Sequence, residues 1–214
     1  MKKYQNVFCI LIIILFSVFL ISKLKSTRDR LSEQAEEIIM VYDANAKMGS
    51  QLSIMSDFLF RQMSTNYVKL NEGILLYDAS GREVALGEIV KDEMKFILRI
   101  SEYDCNTCIE PFLNMLYQIS AIIGAENVLI LTSFKYDESF KEYCRNVKKG
   151  IKVYNYSHGN LGLQLEGTVK PFFFVLNKES VTQNSYIPIM DMIDDKVSKA
   201  YLKNLERVFN KVEF

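Results

Sequence analysis

Nineteen consecutive uncharged residues, Tyr4 to Ser22, stand near the start of this 214-residue chain, bracketed by Lys2, Lys3 and Lys23. As a helix rising about 1.5 Å per residue, the stretch matches a hydrocarbon core of about 30 Å, with the flanking lysines reaching outward. It is therefore expected as a transmembrane anchor over residues 1–23, which leaves the remainder to fold in water. A removed signal peptide is the rival reading. Leu20-Ile-Ser-Lys-Leu-Lys25 is bulky and charged where a small-x-small cleavage site would stand, which favours the uncleaved anchor. Cys9 lacks the preceding small residues of a lipoprotein signal and reads as a thiol within the membrane.

The next segment, residues 24–70, is expected as a helical stalk or linker. No Pro interrupts it, and Leu24, Leu31, Ile38, Leu52 and Leu59 recur every seven residues with Asn45 at the intervening place. Val41, Met48 and Met55 form a second line three residues on, giving an a/d-like seam with one polar a-type residue. Thr27, Gln34 and Gln62 on that second line, and Gly49-Ser50 inside the run, count against a coiled coil. Two readings stay open: a homodimer through the stalk, and an amphipathic helix that packs on its own domain or lies along the membrane.

From about residue 71 to 214, strand and helix signals alternate. Ile74 to Asp78 and Glu83 to Leu86 flank the turn Ala79-Ser-Gly81 and predict a hairpin. Strands are expected at Lys95–Ile100, Asn127–Thr132, Ile151–Tyr154, Pro171–Asn177 and Ser180–Tyr186. Helices are expected from Cys105 to Ile123, from Tyr136 to Lys148, and from Met190 to Phe209. This order specifies an α/β domain, a sheet covered on both faces.

The chemistry is concentrated at Cys105-Asn-Thr-Cys108, where the first long strand passes into its helix. Residues three apart at a helix start share a face, so two sulfurs there can close a small ring. Free backbone N–H groups and the positive end of the helix dipole favour thiolate at that place. Cys105 is accordingly the candidate nucleophile and Cys108 the candidate resolving thiol.

From about Gly73 to Phe209 the chain resembles the thioredoxin superfamily, in particular its membrane-anchored TlpA/ResA-type thiol-disulfide oxidoreductases. The resemblance rests on three features: the hairpin carrying Asp78-Ala-Ser-Gly-Arg-Glu-Val84, the strand-CxxC-helix unit, and Val169-Lys-Pro-Phe-Phe-Phe-Val175 before a terminal hairpin and helix. It implies a thioredoxin-like fold, a mixed sheet with helices on both faces. It also implies that Pro171 is cis and lies against the CxxC, with Lys170 preceding it. Lys170, Pro171 and Asp104, the residue before the first Cys, are the substrate-binding candidates that follow. There are departures. Asp104 stands where the family usually has Trp, and Arg99 stands where thioredoxins carry a buried acid. Pro111 comes early in the helix, and Lys170 replaces a small or β-branched residue. Asn106-Thr107 carries no charge, unlike the His-containing motif of strongly oxidising relatives, which leans the expectation towards a reductant.

Several classes are excluded or set aside. Twenty-six basic against 26 acidic residues leave no electrostatic footprint for nucleic acid. A zinc site from Cys105, Cys108, Cys144 and His158 is disfavoured because only the first pair has zinc-like spacing. Neither GxGxxG nor a P-loop is present, so no cofactor or metal is expected. Cys144 reads as a core thiol and His158 as a loop residue. The expected partners are protein or peptide disulfides, a membrane or envelope electron-exchange partner, and lipid. The alternative is a redox-silent thioredoxin-fold binding domain at the membrane. Lys23, Lys25, Arg28 and Arg30 outnumber Lys2 and Lys3, a bias that would keep the body in the cytoplasm. Long domains escape that rule, and disulfide exchange belongs where disulfides persist. The expected location is therefore the cell inner membrane, single-pass, with the C-terminal domain in the periplasm or otherwise outside the cytoplasm.

Overall fold

The computed structural model describes the backbone of residues 2–102, 104, 106–167, 171–188 and 196–210. Within those ranges the side chains of 2–13, 106–108, 196–197 and 210 lie outside the description. The chain divides into two units, Met1–Ser56 and Asp57–Phe214.

The first unit belongs to one long helix, α1 (Lys2–Thr65), and its residues 14–56 are all exposed. Among the described residues no helix is long and apolar enough to cross a membrane. The expected anchor falls in part on residues 1–13, whose side chains lie outside the description.

In the second unit, the last residue of α1 is tied into the sheet. Thr65 is fully buried: its Oγ1 accepts from the Leu165 N–H at 3.1 Å, and its carbonyl accepts from the Thr182 hydroxyl. The chain then turns at Tyr67 and runs along strand β7 (Thr182–Tyr186), with Leu70 N–H donating to the Ser180 carbonyl at 2.8 Å. That pairing covers part of an edge that would otherwise be open to other chains.

The sheet has seven strands. A hairpin of β1 (Leu75–Tyr77) and β2 (Glu83–Ala85) is followed by a single-turn helix, α2 (Leu86–Val90). Then come β3 (Lys95–Arg99), α3 (Asn106–Ile123), β4 (Val128–Thr132), α4 (Asp137–Asn146) and β5 (Lys152–Asn155). The chain closes with β6 (Phe172–Leu176), β7 and α5 (Lys196–Asn210). The spatial order is β2-β1-β5-β4-β3-β6-β7. Strands β3, β4 and β5 are parallel, while β6, β7 and the hairpin join antiparallel. The expected α/β arrangement, a mixed sheet with helices, is what the structure holds. The five-residue α2 was not foreseen, being too short to display a helical period.

Alternation along the central strands sorts their side chains between two cores. Phe96, Leu98, Phe173 and Val175 face α3 and α5, against Phe112, Met115, Leu116, Ile119 and Leu205. The rings of Phe96 and Phe173 stack at 5.2 Å. Ile97, Leu131, Phe172 and Phe174 face the other way, against α2 and the loop carrying Leu161, Leu163 and Leu165. Every residue of β4 and β6 is buried, as their unbroken apolar runs require. Helix α3 stops at Gly124, whose φ of +91° suits a residue without a side chain.

Candidate functional site

The C-terminal ends of the parallel strands are where open α/β sheets present ligands. Here β3 ends at Arg99 and α3 starts at Asn106, so the sequence Cys105-Asn-Thr-Cys108 straddles the helix start. Cys105 lies outside the described residues. Cys108 is in the first turn of α3, its side chain outside the description.

The turn that leads from β3 towards α3 is held by Asp104. Its Oδ2 accepts from the Ser101 N–H at 2.7 Å, while its own N–H donates to the Ser101 carbonyl at 3.1 Å. Burial pushes this carboxyl above the ordinary aspartate range, opposed by the Ser101 N–H and by the charge of Arg99. Glu102, next to this turn, grips the segment after β4. Its carboxylate accepts from the Lys135 backbone N–H at 2.9 Å and pairs with the Lys135 ammonium at 3.3 Å.

Beneath the turn lies an ion pair that neither partner's local sequence announces. Alternation puts Arg99 on the Ile97 side of β3, where only 4% of it is exposed. Its Nε donates to Glu166 Oε1 at 2.9 Å, Nη1 to the Leu131 carbonyl at 3.4 Å, and Nη2 to the Gly159 carbonyl. Burial draws the guanidinium pKa down, and the facing Glu166 carboxylate opposes that. Glu166 uses its other oxygen to collect the N–H groups of Leu161 at 2.6 Å and Leu163 at 3.2 Å. One buried pair thus ties β3 and β4 to the loop that leads on towards β6. Arg99, Asp104, Ser157, Asn160 and Glu166 line a cleft of about 260 Å³ beside the turn.

Sequence reasoning noted Arg99 as a departure but missed Glu166. The one available signal was that an arginine on an otherwise apolar strand needs a buried anion. Pro171 is buried at the entry to β6, as a proline opening a central strand should be. Lys170, and with it the Lys170–Pro171 peptide bond expected to be cis, lies outside the described residues. Of the three substrate-binding candidates, Asp104 lies on the cleft with Arg99 and Glu166, Pro171 is buried at the entry to β6, and Lys170 lies outside the described residues. Cys144 sits half-buried on α4 and outside both cores, so it is not the core thiol expected; burial still pushes its thiol up to about 11, which suits an unreactive one. His158 is an exposed loop residue whose ring meets Tyr156 edge-on at 5.7 Å. Among the described residues no group of His, Cys, Asp and Glu is arranged to hold a metal.

No protein-family model and no curated protein matches the chain. Solved structures do. A protein of Chlorobium tepidum assigned as thiol:disulfide interchange protein DsbE is 12% identical, over 66% of this chain and 99% of its own, with a TM-score of 0.48. The exposed lipoprotein thioredoxin of Streptococcus pneumoniae is 15% identical, over 61% of this chain and 97% of its own, with a TM-score of 0.44. A secreted disulfide oxidoreductase of Mycobacterium tuberculosis is 10% identical, over 62% and 96%, also with a TM-score of 0.44.

Proposed function

We propose that this chain is a membrane-tethered thiol-disulfide oxidoreductase working through Cys105 and Cys108. The observation that carries the reading is the start of α3 at Asn106, next in sequence to Cys105 and one turn after β3 ends at Arg99. A thiolate at such a helix start is stabilised by unpaired N–H groups and the helix dipole. In the reducing direction the Cys105 thiolate attacks a substrate disulfide, forming a mixed disulfide and releasing one substrate thiolate. The Cys108 thiolate then attacks the Cys105 sulfur. The Cys105–Cys108 disulfide forms, the second substrate thiolate leaves, and two electrons have passed to the substrate. A membrane or envelope dithiol partner then supplies two further electrons, reducing the Cys105–Cys108 disulfide and becoming a disulfide itself.

The uncharged Asn106-Thr107 pair supports a reductant, and Asp104 beside Cys105 works against thiolate, which is the feature that most favours the redox-silent alternative. The substrates are protein or peptide disulfides. Asp104, Lys170 and Pro171 are the proposed contacts. The stretch from Tyr4 to Ser22 supports a tether, with the body outside the cytoplasm.

A redox titration of the full chain, with Cys105→Ser and Cys108→Ser beside it, tests the reading. Both substitutions should abolish turnover, and Cys108→Ser should trap substrates on Cys105 as mixed disulfides. Activity or partner capture indifferent to both substitutions would establish the silent binding domain instead. Alkaline phosphatase fused after Phe214 should be active and green fluorescent protein dark; the reverse would put the body in the cytoplasm.

A further inference from the structure

The first unit is a helix without a described packing partner. Leu24, Leu31, Ile38, Val41, Met48, Leu52 and Met55 are each between 49% and 69% exposed, on a helix whose other residues from 14 to 56 are exposed as well. An isolated helix in water gains little from its own hydrogen bonds, and most helical stability comes from burying an apolar face. Gly49 and Ser50 in mid-helix, with β-branched Ile38, Ile39 and Val41, make the intrinsic propensity weaker still. Something must cover this seam.

The period of the seam identifies the cover. An apolar line repeating every 3.5 residues stays in phase only with a helix that supercoils around it. From Ile38 to Met55 every a and d place is apolar except Asn45. We propose that this seam is the face of a parallel, in-register homodimer, two copies of this chain joined along α1 and meeting at Asn45.

Asn45 chooses both the partner and its direction. In register and parallel, each Asn45 amide faces the other copy's amide, and the two hydrogen-bond across the seam. An antiparallel pair sets a-type against d-type residues and leaves the amide opposite Val41, Met48 or another d-type side chain. A lipid surface is a poor cover, because Glu33, Glu36, Glu37 and Asp43 crowd the same stretch while lysines and arginines cluster before it. Burying the seven seam residues on each copy removes on the order of 1,200 Å² from water, the lower bound of specific interfaces.

Cysteine scanning of the full chain in detergent micelles tests this, with Cys9, Cys105, Cys108 and Cys144 first replaced by Ser. That background removes the redox chemistry, so the outcome is independent of the proposed activity. Single cysteines at Ile38 and Leu52 on the seam should form disulfide-linked dimers at least about fivefold faster than cysteines at Glu36, Asp43 and Ser50 on the opposite face. A flat profile, or faster linking at the opposite face, overturns the seam. Cysteines at Ile38 and Leu52 together should still give species no larger than two chains; a ladder of higher products overturns the dimer. Light scattering of an Ile38→Glu/Leu52→Glu chain should report half the wild-type protein mass with the thermal unfolding of the second unit unchanged. An unchanged mass would likewise overturn the proposal.

Discussion

The two faces of the sheet are closed by different means. On the face with Phe96, Leu98, Phe173 and Val175, helices α3 and α5 supply apolar stripes, and beyond the first turn a helix satisfies its own backbone amides. On the face with Ile97, Leu131, Phe172 and Phe174, much of the cover is an irregular loop bringing Leu161, Leu163 and Leu165. A loop carries its amides unpaired into the interior, and those groups need partners. Glu166 supplies two of them and is itself answered by Arg99. The ion pair is thus the polar complement of closing a core with a loop, located where it also borders the candidate site.

This difference can be broken most directly at Glu166. Glu166→Ala leaves Arg99 buried without its anion and frees the Leu161 and Leu163 amides. It should cost about 3–5 kcal/mol, read as a lowered urea midpoint. A double Arg99→Met/Glu166→Leu chain should recover much of that loss, since an apolar pair in the same space needs no counter-charge. A loss below about 1 kcal/mol in the single variant would mean that the loop closes without the pair.

The helix-closed face should respond to volume alone. Met115 on α3 is 1% exposed among Phe112, Leu116 and the rings of β3 and β6. Met115→Ala should cost about 2–3 kcal/mol through the cavity it leaves, with the loss the same at low and high salt. A salt-dependent loss would show that charge reaches this face as well.

Which parts were legible in the sequence follows the same division. The α3 stripe, the unbroken apolar runs of β4 and β6, and the hairpin at Ala79-Ser-Gly81 are local patterns, so their elements were expected within a few residues of where they lie. The Arg99–Glu166 pair joins residues 67 apart through a loop with no period. Its charges were visible, but their meeting depends on tertiary closure. For the CxxC the sequence supplied both the motif and its junction. What it left open is how Asp104, Arg99 and Glu166 come to share one cleft, because that depends on tertiary geometry.

A smaller effect is expected where α3 ends. A side chain at Gly124 would adopt a φ of +91° and meet the Glu126 carboxylate at under 3.0 Å. Gly124→Ala should therefore cost about 1 kcal/mol or more. The loss should show as faster amide exchange in the last turn of α3 before the rest of the helix, since the cap secures that turn.

The smallest expected effect has a sign that depends on pH. Burial raises the Asp104 carboxyl above its ordinary 3.8, more than the Ser101 N–H and the Arg99 charge lower it. A raised carboxylate favours the folded state only while protonated. Its contribution is complete below 3.8 and is lost as pH climbs through the folded value. Asp104→Asn keeps an oxygen for the Ser101 N–H and removes the titration. Its urea midpoint should match wild type at pH 3 and exceed it increasingly as the pH is raised towards 7. Lys135, Glu102 and Glu166 border the same cleft in both chains, so their contributions cancel in the comparison. With the neighbouring negative charge gone, Cys105 should also react faster with iodoacetamide near neutral pH, as a larger thiolate fraction requires. A midpoint difference that is constant from pH 3 to 7 would mean that Asp104 is held by its Ser101 contact alone, and that its charge has no part in setting the charged face apart from the apolar one.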